Sequence, residues 1–323
     1  MNLRRTLPLI VLSVLANLTS VSAAVIETTL DNDTDLFVPG AATSDRNYTQ
    51  GSRIAWHVGE ESTPRWSARI AERLVGQDRQ AVIRAGLAIG QEIYTPDAIS
   101  RATPQADDRP YAGWLYGSAF LTSSGEHRER SLEMRAGIVG PHSYAQQGQE
   151  WWHRELGIRV PRGWSHQLRD EPGIQLILQE RWRPMGAQRH VDIVPHATVS
   201  LGNVATYAAS GATLRLGWPL PDDFGPSPTN APSSLGTNAT KRPIQAFAFA
   251  RAEGRAVAHN IMLDGNTGGG SAFVTRRPLV GEAQIGAGLR MGGVSLRYVF
   301  SYTTHEFEER SDAHRYGSFS IGF

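Results

Sequence analysis

The chain of 323 residues contains no cysteine, which excludes disulfides, thiolate nucleophiles and cysteine-ligated metals. It contains one lysine, Lys241, so nearly all of its positive charge is arginine. The guanidinium fork suits bidentate phosphate or carboxylate recognition, although a GC-rich genome produces the same bias. Neither sign of charge is in excess: 32 basic and 31 acidic residues leave +1, which gives no reason to expect nucleic acid as a partner. No apolar run is long enough to span a bilayer as a helix, and a mean hydropathy of −0.32 excludes a polytopic helical membrane protein. The G-x-S-x-G, H-E-x-x-H and P-loop patterns are missing, so an elbow-type serine esterase, a zincin and a nucleotide hydrolase have no support. None of these absences excludes a membrane β-barrel, whose strands carry only every second residue apolar.

The N-terminus reads as an export signal. Arg4 and Arg5 precede a mostly apolar stretch from Leu7 to Leu18, and small residues follow at Ser20, Ser22, Ala23 and Ala24. The expectation is a signal peptide over residues 1–23, cleaved after Ala23 or Ala24, with an uncleaved anchor as the alternative. Residues 24–323 then form one domain, and loss of the two arginines takes the net charge from +1 to −1. An exported chain without cysteine fits the periplasm or outer membrane of a Gram-negative bacterium.

The strongest pattern in the rest of the chain has period two. Ile83, Ala85, Leu87, Ile89 and Ile93 share one face, and Arg84, Gly86, Ala88, Gly90 and Glu92 the other. The same alternation opposes Leu132, Met134, Ala136 and Ile138 to Ser131, Glu133, Arg135 and Gly137. It returns at Leu279 to Met291 and at Leu296 to Tyr302. Arg84, Arg135, Arg290, Arg297, Glu92, Glu133 and Glu282 therefore lie on the face that carries glycine and serine. A membrane barrel places that face inside, where charges pair and small residues leave room. Phe319, Ile321 and Phe323 alternate to an aromatic last residue, an ending that resembles the C-terminal strand of bacterial outer-membrane barrels. Trp56, Trp114, Trp218 and Tyr94 fall near strand ends, where interfacial girdles are expected.

The expected fold is all-β, a closed antiparallel transmembrane barrel of about twelve strands. The runs lie at 25–31, 51–59, 81–95, 111–122, 131–140, 172–182, 190–202, 204–218, 243–257, 279–291, 293–304 and 314–323. One feature fits this count poorly. The connection at Gly202-Asn203 is tight, whereas the Pro-rich stretch 219–242 makes a long connection at the end that holds the termini, against the usual asymmetry. Trp66, Ile70, Leu74 and Val75 give the segment 60–80 helical spacing, read as a packed amphipathic helix.

Three polar motifs fall in connections at the other end of the barrel. Asp31-Asn32-Asp33 and the block from Ser44 to Gly51 bracket the first; close-set carboxylate and amide oxygens are hard ligands of the kind Ca²⁺ selects, and equally the substance of Asx turns. The second ends Asp107-Asp108-Arg109-Pro110-Tyr111-Ala112-Gly113-Trp114, where Arg109 either braces the loop by pairing an acid or faces an anionic headgroup. The third opens at Gly140-Pro141. Ser143 and Gln146 form an S-x-x-Q capping box, Tyr144 to Leu156 reads as a short external-loop helix, and Gly157 stops it. Gln149 and His153, four apart, share a face of that helix, which makes His153 the candidate general base. Trp151 and Trp152 offer apolar surface to the barrel wall or the lipid interface. His142, His166, His190 and His196 lack such company and read as structural.

With these residues together, the chain resembles the LpxR family of outer-membrane lipid A 3′-O-deacylases. The resemblance is carried by Asn32-Asp33, the block Asp45-Arg46-Asn47-Tyr48-Thr49-Gln50-Gly51, the block Asp108-Arg109-Pro110-Tyr111-Ala112-Gly113, and Gly140-Pro141 leading to Gln149 and His153. It departs from the family pattern at Ala145, where glycine is usual, and at Gln50, where asparagine is common. The resemblance implies a twelve-stranded barrel with its site between wall and loop helix, facing the outer leaflet. It also implies Ca²⁺-dependent removal of the 3′ acyloxyacyl group of lipopolysaccharide. His153 matches the family's base, which activates water, and Gln149 the helix glutamine beside it. Asn32 and Asp33 match the pair at the metal end, and Thr49 matches a further site residue. Arg109 and Arg46 are expected substrate contacts to sugar or phosphate. The expected state is a monomer. Two other readings stay open: a phospholipase or other lipid esterase using the same base and metal, and a non-enzymatic barrel serving as a pore or structural protein.

Overall fold

Alternation of apolar and polar residues over runs of eight to seventeen residues builds strands, most of them long enough to cross a membrane at a tilt. The computed structural model of the protein describes residues 25–33, 46–58, 81–186, 188, 190–226, 244–309 and 313–323. Twelve strands are present among them. They are β1 (Val25–Asn32), β2 (Asn47–Val58), β3 (Val82–Thr95), β4 (Ala112–Ser124), β5 (Arg128–Val139), β6 (Glu171–Trp182), β7 (Val191–Gly202), β8 (Ala205–Trp218), β9 (Ile244–Asn260), β10 (Leu279–Met291), β11 (Val294–Thr303) and β12 (His314–Gly322). Each pairs antiparallel with its neighbours in sequence, and β1 closes on β12 with Thr29 opposite Ser320 and Asn32 opposite Gly317. No described helix is long and apolar enough to cross a membrane. The expected signal peptide and the expected helix at 60–80 lie outside the described residues.

The face assignment follows the pattern. Leu87, Ile89, Met134, Ile174, Leu176, Leu178, Leu214, Leu216 and Ile285 point outward and are exposed. Inside, Glu133 accepts from Arg53 (2.8 Å) and Arg135 (3.0 Å), Glu27 pairs with Arg297 (2.7 Å), and Glu253 joins Arg251 and His196. Charges inside a barrel wall persist only when paired in this way. Glycines serve the same interior: a Cβ on Gly86 would meet the Phe120 ring at 2.1 Å, so the bare backbone is what lets that ring lie across the sheet. A cavity of about 110 Å³ remains in the lumen among Glu92, Arg135, Tyr207, Arg255 and Glu282.

Two of the four expected girdle aromatics are corrected. Trp218 is 79% exposed and faces outward, and Trp56 also stands on the outer side. Trp114 and Tyr94 instead line the lumen, Trp114 packing against Tyr116 at 4.4 Å between ring centroids. Their parity along the strand, shared with Tyr116 and Glu92, decides this over their nearness to a strand end.

Of the long connection after β8, residues 219–226 are described and have a physical account, and the rest lies outside the described residues. Residues 219–226 turn back into the lumen, burying Leu220 and Phe224. The Asp223 carboxylate accepts from Arg215 (2.5 Å), Arg290 (3.3 Å) and the Gly225 N–H (2.9 Å). Arg181 donates to the Gly225 carbonyl (3.0 Å), and Arg183 to Asp222 (2.8 Å) while lying over Phe224. Burial alone would raise the Asp223 pKa; the Arg215 and Arg290 guanidiniums and the Gly225 N–H hold it below the ordinary carboxylate value. Four arginines near one end of the lumen require counter-charge, and this segment carries it in.

Candidate active site

At the barrel end away from Val25 and Phe323, β1, β2 and β3 form a polar corner on the outer surface of the wall. On β1, Asp31 faces the lumen, where its carboxylate accepts from Tyr48 Oη (2.6 Å) and from Ser318. Its neighbour Asn32 therefore stands on the outer face, in register with Gln50 of β2. The β2–β3 ladder shifts register between Tyr48 and Gln50, and Thr49 is the extra residue of that bulge. With Tyr48 committed to the lumen, Thr49 is buried on the outer side, its hydroxyl 2.6 Å from that of Thr95 at the end of β3. Asp33, 0% exposed, donates its N–H to the Thr49 carbonyl (3.3 Å) and accepts the Arg46 N–H on Oδ2 (2.7 Å). The acceptor of that bond lies thirteen residues before its donor, so it clamps the first loop across its mouth and is not a local Asx turn.

The third loop lays a helix over this corner. A 3-10 turn, Pro141–Ser143, leads into α1 (Ala145–Leu156), and Gly157 ends it at φ 68 with its N–H on the Arg154 carbonyl. The expected capping box does not form: Ser143 belongs to the preceding turn, Tyr144 occupies the N-cap position at φ 58, and Gln146 pairs instead with Glu150 (2.7 Å). Three contacts hold α1 against the outside of β3 and β4. Gln91 donates to the Ser143 carbonyl (2.6 Å), Gly148 sits over Gln91 and Ile93, and Gly113 leaves space that a Cβ would fill at 2.2 Å from Ala145 Cβ. Ile93, Ile99, Tyr111, Ala145 and Trp164 pack together beneath the helix.

Ala145, Gln149 and His153 form the buried stripe of α1, at spacing i, i+4, i+8. His153, 1% exposed, has Nδ1 2.5 Å from the Arg159 carbonyl. A carbonyl accepts only, so Nδ1 carries the hydrogen and Nε2 the lone pair that can take a proton. His153 and Arg154 lie in the last turn, where the helix dipole favours positive charge. Gln149, 0% exposed, accepts the Trp164 indole N–H on Oε1 (2.9 Å), and its Nε2 has no hydrogen-bond partner among the described residues. Trp151 is half exposed, outside the buried stripe of the helix.

The structure thus gathers His153 and Gln149 on α1, and Asn32, Asp33 and Thr49 on the β1–β2 corner. Thr95 and Ile93 of β3 connect the two groups. Arg109 is not brought to them. It lies on the lumen side of the rim, donating to Glu306 (3.3 Å) and stacked over Tyr94 (5.2 Å) and Phe307 (5.8 Å). Asp108 accepts from the N–H groups of Asp97 and Arg109, both at 2.8 Å, so this motif does the bracing its alternative reading describes. The Arg46 guanidinium is partly exposed, 3.7 Å from Asp97, a pairing of at most about 1 kcal/mol. The residues that sequence reasoning missed are Trp164, Thr95 and Arg159, the last acting through its carbonyl. Thr95 ends an outward run that alternates from Ile83, a signal in plain view; Trp164 and Arg159 carry none.

The corner offers hard oxygen donors: the Asp33 carboxylate, the Asn32 amide and the Thr49 hydroxyl. No three His, Cys, Asp or Glu side chains gather among the described residues. One carboxylate supplemented by amide, hydroxyl, carbonyl and water oxygens suits the flexible shell of about six to eight oxygens that Ca²⁺ accepts, and does not suit zinc.

A solved structure agrees with this architecture. The solved LpxR from Salmonella typhimurium superposes with a TM-score of 0.72 at 21% sequence identity, over 93% of this chain and 99% of that one. The translocator domain of the autotransporter NalP from Neisseria meningitidis matches at a TM-score of 0.40 and 12% identity, over 98% and 93% of the two chains. No curated protein sequence matches. The sequence model of the family described as outer membrane protein LpxR matches residues 6–323. With nearly its whole length matched, the chain belongs to the LpxR family of outer-membrane proteins.

Proposed function

We propose that the protein is a lipid A 3′-O-deacylase that hydrolyses the 3′-linked acyloxyacyl ester of lipopolysaccharide with a His153-activated water and Ca²⁺. The observation that carries this reading is the burial of His153 and Gln149 on the face of α1 that packs against the outer side of β3 and β4, with β3 joined through Thr95 and Thr49 to the corner that holds Asn32 and Asp33. A site on that side admits a lipid laterally, with its acyl chains still in the bilayer. The reading includes an orientation: the end away from Val25 and Phe323 faces the outside, so the site meets the outer leaflet.

The chain's own groups account for the chemistry. His153 Nε2 takes a proton from water as the water oxygen bonds to the ester carbonyl carbon. The carbonyl oxygen becomes an oxyanion, to which the buried Gln149 amide offers N–H donors. As the C–O bond to the sugar breaks, the imidazolium returns its proton to the departing 3′ oxygen, leaving a hydroxyl and a free carboxylic acid. The α1 dipole favours the imidazolium in between. Asp33, with Asn32, would hold Ca²⁺, whose charge when bound stabilises negative charge at the ester carbonyl. No enzyme nucleophile is needed, in keeping with the missing serine motif.

The test is incubation of the purified protein with lipid A and with phosphatidylethanolamine, each with and without Ca²⁺, followed by mass spectrometry. Ca²⁺-dependent loss of the 3′ acyloxyacyl group from lipid A is expected. Cleavage of the glycerophospholipid alone would make the protein a phospholipase, and inertness toward both would leave a non-enzymatic barrel. A pore is disfavoured by the ion pairs that cross the lumen and by residues 219–226 filling one end.

A further inference from the structure

We infer that Trp164 is a positioning residue that sets which end of the Gln149 amide faces the substrate, an inference that rests on the deacylase reading. The two ends of a glutamine amide are nearly equal in size and opposite in chemistry: the oxygen accepts and the nitrogen donates. An indole Nε1 can only donate. The 2.9 Å contact from Trp164 Nε1 therefore requires Gln149 Oε1 on that side and turns the NH₂ away from it. The nitrogen so turned is buried and without a partner among the described residues. A buried donor left unmatched is costly to folding, about 1–3 kcal/mol, so its retention marks a group held for something absent from the free protein. A substrate carbonyl oxygen gaining negative charge is such a group.

The indole is itself immobilised, and this is what makes it a reference point for the amide. Trp164 is buried with Ile93, Ile99, Tyr111 and Ala145, its ring centroid 4.9 Å from that of Tyr111. Gly163 lies against the Tyr111 ring, with no room for a Cβ, and the segment after α1 is tied to the second loop by Arg162 N–H to the Ile99 carbonyl (2.8 Å) and Leu168 N–H to the Tyr111 carbonyl (2.9 Å). The second and third loops therefore meet at the residue that orients the donor. Without the indole N–H, no hydrogen bond among the described residues distinguishes the two amide orientations. In the flipped one an oxygen lone pair would face the oxyanion, a repulsive contact in place of a stabilising one.

Two variants separate this role from simple packing. Trp164→Phe keeps an aromatic ring in the cluster and removes the donor together with part of the indole's volume; the loss of volume is read separately, as a shift of the folded band. Gln149→Glu keeps an acceptor for the indole and removes the NH₂. In steady-state assays of the full chain in detergent micelles with Ca²⁺ and lipid A, Trp164→Phe is expected to lower kcat about tenfold with KM within about twofold. Gln149→Glu should lower kcat about 10²-fold while the heat-modifiable folded band persists. The double variant should be no worse than Gln149→Glu alone, because there is no amide left to orient. Trp164→Phe turning over at the wild-type rate, or losses that multiply in the double variant, would overturn the inference while leaving the deacylase reading in place. Gln149→Glu with wild-type kcat would do the same, because turnover would then need no NH₂ for the indole to orient. A second measurement needs no turnover: in ¹⁵N-tryptophan-labelled protein, the indole signal lost in Trp164→Phe should move on Gln149→Glu. If wild type releases no acyl chain from lipid A, the deacylase reading fails, and with it the positioning role. An indole signal that ignores the Gln149 substitution refutes the pairing whether or not the protein is active.

Discussion

Gly113→Ala should disable the site without touching any polar group in it. Gly113 lies on the outer face of β4, opposite Ile93 of β3 and under the first turn of α1. An added Cβ would stand 2.2 Å from Ala145 Cβ and 2.2 Å from Ser143 Oγ, where ordinary contact begins at 3.4 Å. The start of the helix must then lift from the wall by the difference, about 1.2 Å. Gln149 is one turn along and His153 two, so both lose alignment with the β1–β2 corner. A displacement of this size costs catalysis about 10²-fold. The strand ladder is unaffected, because alanine retains the backbone groups. Gly117, on the same face of the same strand, supplies the control: a Cβ there meets nothing within 4 Å, and Gly117→Ala should behave as wild type. Initial rates of 3′ acyl release, measured for both variants beside their heat-modifiable electrophoretic bands, decide the matter. A fully active Gly113→Ala enzyme would show that the packing of α1 on β4 does not set the site.

Three further outcomes are expected. His153→Ala should retain the folded barrel and lose at least about 10² in turnover; full activity would remove His153 from the mechanism. Asp33→Asn should raise the Ca²⁺ concentration for half-maximal activity by about tenfold or more, and chelation should silence the wild type; an unshifted titration contradicts the ligand assignment. Asp223→Ala leaves Arg215 and Arg290 facing each other without a shared counter-ion, and should lower unfolding free energy in lipid vesicles by about 3 kcal/mol in urea titrations. Because the Asp223 pKa is depressed in the folded barrel, its contribution is present above the ordinary carboxylate pKa and lost as pH falls through the native value. The gap between wild type and Asp223→Ala should therefore narrow in acid and widen toward neutrality.

The barrel was legible in the chain because period two is imposed residue by residue: each outward position must suit lipid and each inward one a polar lumen. Most strand limits agree within about three residues. The largest difference is at β2, which begins at Asn47 and not at 51, because the bulge at Thr49 breaks the alternation that reveals a strand. Gln149 and His153 were legible as a pair because helical spacing places them on one face. Their partners were not. Trp164 meets Gln149 across fifteen residues, and the Arg159 carbonyl is a backbone atom that any residue could supply. Arg109 drew attention by its company in Asp-Asp-Arg-Pro, yet the parity of Tyr94 and the position of Glu306, almost two hundred residues away, decide that it faces inward. Likewise the purpose of residues 219–226 appears only once Arg181, Arg183, Arg215 and Arg290 are seen to crowd one end of the lumen.

The seam between β1 and β12 has a consequence for assembly. Asn32 is flanked by Gln50 on one side and Gly317 on the other, and Ile26 exchanges backbone hydrogen bonds with Phe323. Half of the backing for the Asn32–Asp33 corner is thus contributed by β12, the strand furthest from β1 along the chain. Until that strand docks, β1 keeps a bare edge and the corner lacks one wall, so a deacylase working at this corner is expected to gain activity only on ring closure.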